Sequence, residues 1–225
     1  MVLIHGGYWQ PGFDRGLMRP LVPSLLAAGR AVWNLDYRPA GVGEGGGWPG
    51  TFQDVSGAMD SLRRAAADHS LDLGHVVTVG HSAGGTLALW AAGRGGLPNG
   101  APGGRPAVNV RAAASLAGLD DLVSCAEAEL GHGACVNLMG GQPGGDGRYQ
   151  LASPLARLPL HRPQLLVHGT HDEVVPLSQS RAYARAAKGA GDEVTYLEVG
   201  DSTHMSLIDP RSDAWAKALR WVLDH

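Results

Sequence analysis

Three residues of complementary chemistry lie far apart in this chain. Ser82 falls inside Gly80-His81-Ser82-Ala83-Gly84, Asp172 ends Gly169-Thr170-His171-Asp172, and His204 ends Asp201-Ser202-Thr203-His204. A serine hydroxyl is a poor nucleophile until a base takes its proton, and an imidazole does this best when a carboxylate fixes its tautomer. His204 and Asp172 would fill those roles, so the predicted chemistry is acyl transfer through Ser82. Attack on a carbonyl builds negative charge on its oxygen, and backbone N–H groups must already point at that spot. The run His5-Gly6-Gly7-Tyr8-Trp9 brings glycines that let a backbone approach closely. The expected oxyanion donors are Gly6 or Gly7, together with Ala83. Activity that depends on a histidine base should fall below about pH 6.5, where a free imidazole gains its proton.

Positioning these groups requires particular elements. A serine flanked by glycines at a sharp strand-to-helix turn is projected above the sheet, and the flanking sequence suits such a turn. A strand-like run at residues 75–79 precedes it, and a run expected to form an amphipathic helix, residues 86–92, follows. Strands are also expected at residues 2–5, 31–35, 110–116, 164–168 and 194–199. The Gly6, Asp172 and His204 segments each follow one of these strands, at the carboxyl end of the sheet where open α/β sheets assemble their sites. Helix patterns lie between them: residues 17–28, a stripe of Phe52, Val55, Met59 and Leu62, and another of Trp215, Leu219 and Val222. This alternation predicts an α/β fold with a mostly parallel sheet of about six strands and helices on both faces.

At 225 residues and 44% hydrophobic content, the chain is read as one domain, 1–225. Residues 39–50 and 93–106 are dense in glycine and proline and read as mobile surface loops. Residues 118–150 carry short helical patterns between two strands, the expected place for a lid over the site. Tyr8, Trp9, His81, Leu119, Leu138 and Met139 are candidate substrate-contacting residues. The net charge of −3, with Lys and Arg scattered, argues against nucleic acid or an anionic membrane as partner. No apolar run reaches the length of a membrane span. The expected partner is a small-molecule ester or amide, and the expected location is the cytoplasm, unless the recorded start lies inside a longer frame.

Cys125 and Cys135 are expected as free, half-buried thiols rather than a disulfide, because two cysteines in a chain of cytosolic character are more often reduced. His168, His171 and Asp172 superficially suggest a metal site, but they fall on a strand end and a turn rather than on one helical face. No metal and no cofactor is expected. His69, His75, His132, His161 and His225 are assigned to solvent or turns.

With the three residues in the order Ser82, Asp172, His204, the chain resembles the α/β-hydrolase superfamily over essentially its whole length. His5-Gly6-Gly7-Tyr8-Trp9 and Gly80-His81-Ser82-Ala83-Gly84-Gly85 are similar to the corresponding loops of kynurenine formamidases (arylformamidases). The resemblance implies hydrolysis of a formamide or small carboxylic ester. Tyr8 stands where relatives of hormone-sensitive lipase carry a third glycine, and His81 where they carry an acidic residue. Prolyl-oligopeptidase relatives are similar around Asp172 and His204, leaving a serine peptidase as one alternative; they usually add a propeller domain. A hydrolase fold kept as a non-catalytic ligand-binding module is the other. Superfamily members usually open with two strands before the oxyanion strand, and both are lacking here. That would leave residues 31–35 as an exposed edge, through which a homodimer could form.

Overall fold

Short aliphatic and β-branched runs form the strands, as the pattern requires. A computed structural model covers residues 1–225. Its six strands are β1 (Val2–Ile4), β2 (Trp33–Leu35), β3 (Val77–His81), β4 (Ala112–Leu116), β5 (Gln164–Gly169) and β6 (Val194–Val199). Every pairing is parallel and the order is β2-β1-β3-β4-β5-β6. Strand β2 is an edge, as expected, and its Trp33 is exposed. The central strands β3, β4 and β5 are buried at every position, the signature of a sheet covered on both faces.

The helices are α1 (Val22–Ala27), α2 (Gly50–His69), α3 (Ala83–Ala92), α4 (Leu122–Glu127), α5 (Leu130–Met139), α6 (Arg148–Ala152), α7 (Leu177–Gly189) and α8 (Asp213–Asp224). Alternate strand residues feed two separate cores, as a period of two dictates. Val2, Ile4 and Leu166 pack with Phe52 of α2, Leu87 of α3 and Tyr183 of α7. Leu3, Leu165 and Val167 pack on the other face with Leu25 of α1 and Trp215 of α8. The stripe of Phe52, Val55, Met59 and Leu62 is buried along α2.

Four expectations are corrected. The segment 17–28 is not one helix: a 3-10 turn over Arg15–Leu21 contains Pro20, and α-helix begins only at Val22 with a proline in its first turn, since proline removes the donor an α-helix interior needs. Helix α3 is not amphipathic, because all ten of its residues are buried; it is packed between the sheet and α2. Residues 93–106 are not a free surface loop: Arg94 is buried, pairs with Asp60 of α2 at 2.8 Å and donates to the Gly103 carbonyl at 2.7 Å. Cys125 and Cys135 are joined in a disulfide linking α4 to α5. Both cysteines are fully buried there, brought together by left-handed backbone at Glu129 and at Gly131, His132 and Gly133 that folds α5 back on α4.

No helix is long and apolar enough to cross a membrane, and no three His, Cys, Asp or Glu side chains converge in a geometry that could hold a metal ion.

Candidate active site

The elbow at Ser82 is built by close backbone approach. Ser82 has φ +54° and ψ −126°, a conformation that costs a non-glycine residue about 1–3 kcal/mol and persists only where the surroundings enforce it. They do so at both flanking glycines. A Cβ on Gly80 would lie 1.9 Å from the Gly84 carbonyl oxygen, and one on Gly84 would lie 2.1 Å from the Ile4 carbonyl oxygen of β1. The G-x-S-x-G spacing is therefore a statement about backbone packed on backbone. Ser82 N–H donates to Leu116 O at 2.8 Å, tying the turn to the end of β4. Ser82 Oγ makes no hydrogen bond within the protein.

The His5–Gly7 loop lies directly beside it. A Cβ on Gly6 would stand 2.8 Å from Ser82 Cβ, so only glycine brings this loop so near the serine. The N–H groups of Gly6, Gly7 and Ala83 donate to no acceptor in the loops, turns or caps. Tyr37 fixes the loop from beneath: its ring stacks on His5 at 4.2 Å and its hydroxyl donates to His5 O at 2.9 Å.

Asp172 and His204 meet as their positions after β5 and β6 require. Asp172 Oδ2 lies 2.7 Å from His204 Nδ1, while Oδ1 accepts from the N–H groups of Val174 and Val175 at 2.8 and 2.9 Å. Burial alone would raise the Asp172 pKa, but hydrogen bonds from His168, His204 and Val175 outweigh it and hold the carboxyl well below the usual range. An ionised carboxylate only accepts, so the Nδ1 of His204 that faces Asp172 carries a proton. The His204 ring packs on His81, with centroids 4.5 Å apart, next to Ser82 in the chain.

The remaining expected site residues divide. Tyr8 is half-buried, its hydroxyl donating to Val174 O at 2.8 Å and its ring against Gly131 of α5. Trp9, Leu119, Leu138 and Met139 are fully buried in the core that contains Phe52, so they pack the core and none presents a face to solvent. His81 is buried too, under His204, with its Nε2 3.0 Å from the His204 carbonyl oxygen. It has no face toward a substrate. Of the other histidines, His69, His75, His132 and His161 are exposed and His225 is partly so.

Pattern reading missed one buried partner of Asp172 and three exposed apolar side chains. His168, fully buried at the end of β5, lies 3.3 Å from Asp172 Oδ2 with its Nε2 also 3.0 Å from Val175 O; Ser180 Oγ donates to its Nδ1 at 2.8 Å. Phe13, Val174 and Met205 are large apolar side chains left 47%, 44% and 53% exposed. Phe13 covers Gly7, Val174 follows Asp172 by two residues and Met205 follows His204. Residue type and spacing do not mark any of the three as exposed. A cavity of about 620 Å³ lies elsewhere: Met1, Val2, Val76 and Arg111 place it at the amino ends of the strands, away from where such sheets assemble their sites.

The family model described as BD-FAE matches residues 1–186. The chain belongs to the BD-FAE family. This BD-FAE chain is 29% identical over 213 residues to Esterase LipQ of Mycobacterium tuberculosis (strain ATCC 25618 / H37Rv), a match covering 91% of the chain and 49% of LipQ. It thus spans about half the length of that relative. Among solved structures, it superposes on a truncated form of carbohydrate esterase from gut microbiota with a TM-score of 0.83 at 22% identity, covering 99% of this chain and 84% of the other. It superposes on the native Est2 esterase of Thermogutta terrifontis with a TM-score of 0.76 at 23% identity, covering 99% and 79%. At such identities the likeness establishes the α/β-hydrolase fold.

Proposed function

We propose that this BD-FAE chain is a serine hydrolase that cleaves small carboxylic esters through an acyl-enzyme. The observation that carries the reading is the 2.7 Å contact between Asp172 and His204, with the His204 ring packed against the elbow that bears Ser82. His204 Nε2 takes the Ser82 proton as Oγ bonds to the acyl carbon. The carbonyl oxygen becomes an oxyanion, met by N–H groups of Gly6 or Gly7 and of Ala83. Collapse breaks the ester C–O bond, and the alkoxide leaves with the proton from His204. Water then attacks the acyl-enzyme with the same residues in the same roles and releases the acid. The esterase names of LipQ and of the structural neighbours support ester chemistry.

The exposed aromatic surface near the oxyanion loop favours a second reading, an aryl leaving group and with it an aryl formamide. Tyr8 and Phe13 would receive the ring, and residues 118–150, which carry α4 and α5, would close over it. Initial rates on p-nitrophenyl acetate, p-nitrophenyl butyrate and N-formylkynurenine test both readings. Ester turnover is expected, with Ser82→Ala lowering it about six orders of magnitude. A Ser82→Ala variant retaining a tenth of the activity would remove Ser82 from the mechanism, and a kcat/KM highest on N-formylkynurenine would select the formamide.

A further inference from the structure

Among the groups around Ser82, one buried side chain of the elbow reaches both the His204 loop and the Gly6 loop and has no role in the chemistry above. His81 Nε2 lies 3.0 Å from the His204 carbonyl oxygen. A carbonyl only accepts, so Nε2 carries the proton and donates it. Nδ1 is then a bare lone pair, buried with no partner, and it lies 3.3 Å from where a Cβ on Gly6 would be. An apolar ring would fill this space without burying an unpartnered nitrogen, so packing alone does not account for histidine here. Burial, followed by the nearby His204, lowers the His81 pKa to about 3, so the ring stays neutral and keeps the same donor across the physiological range.

We infer that His81 is a positioning residue: its Nε2–H holds the His204 backbone to the nucleophile elbow, so that the base is anchored at its ring by Asp172 and at its main chain by His81. This rests on the proposed roles of Ser82 and His204. His204 heads the one-turn 3-10 helix Met205–Ile208, and its loop carries no other tie to the elbow among the side-chain hydrogen bonds. Slippage of the imidazole by about 1 Å would lower the rate roughly 100-fold without altering substrate binding.

The test compares His81→Phe, which keeps the ring volume and loses the donor, with His81→Gln, whose side-chain amide can reach the same carbonyl. On p-nitrophenyl acetate, His81→Phe is expected to lower kcat about 10–100-fold with KM within about twofold, and His81→Gln to recover kcat to within about fivefold of wild type. Wild-type kcat in His81→Phe, or equal loss in both variants, would overturn the inference. Should His81→Phe fail to fold, long-range ¹H–¹⁵N NMR of the wild-type histidines decides: the Nε2–H tautomer at His81 is expected, and the Nδ1–H tautomer overturns it. Absence of esterase activity in the wild type would instead defeat the reading of Ser82 and His204, and the NMR measurement would still test the contact.

Discussion

Asp172 offers two carboxylate oxygens to four donors: two backbone N–H groups on one, His204 and the more distant His168 on the other. In the proposed mechanism its work is to fix which nitrogen of His204 carries a proton, and the amide of Asp172→Asn would present the wrong partner. That variant is expected to fold and to lose about four orders of magnitude in kcat, the scale seen when a triad acid becomes its amide. A loss under tenfold, measured on p-nitrophenyl acetate, would show that the contact is not used. The elbow at Ser82 and the contact of Asp172 with His204 were legible because the motif and the strand-loop positions are written in residue types and spacing. His81 and His168 were not, since their roles depend on which atom each ring presents to a carbonyl or carboxylate, and no periodicity encodes that.

Among the elements, all six strands were legible to within two residues, because short apolar runs bounded by turns and alternating with helix patterns have few other uses. Helix α3 was misread for a physical reason. Amphipathicity marks a helix with one wet face, and α3 has none. The disulfide was misread because compartment statistics say nothing about the left-handed turn that brings Cys125 to Cys135. Closing a loop with a sequence separation of 10 should stabilise the fold by about 2–3 kcal/mol. Replacing both cysteines with alanine is expected to lower Tm by about 5–10 °C, read by calorimetry against the oxidised wild type. Thiol titration of the denatured wild type without reductant should find no free thiol, and two free thiols would contradict the bridge. A persistent disulfide also weighs against the cytoplasmic expectation, since reducing compartments keep thiols apart.

For the molecule as a whole, the deepest burial and the chemistry are neighbours, and one consequence is a pH-dependent stability. Asp120 is fully buried beside Ser115. Burial raises its pKa to about 7, against the Ser115 hydrogen bond and the nearby His168, which lower it. An unfolded carboxyl titrates near ~3.9, so between those values the folded chain holds one more proton than the unfolded chain. Its contribution to stability therefore falls as pH rises from about 4 to about 7 and falls no further above that. Asp120→Asn is expected to raise Tm relative to wild type more at pH 8 than at pH 5; an equal shift at both would contradict it. The α/β architecture was legible at this scale from alternation alone. The exposure of Phe13, Val174 and Met205 was not, because exposure is a property of the assembled surface. The central claim remains that the geometry joining Asp172, His204 and the elbow makes Ser82 a nucleophile. The most direct measurement is mass spectrometry of the intact, folded protein after reaction with a fluorophosphonate. One adduct, mapping to Ser82 and lost in His204→Ala, is the predicted result; no adduct, or an adduct on another residue, would contradict the account.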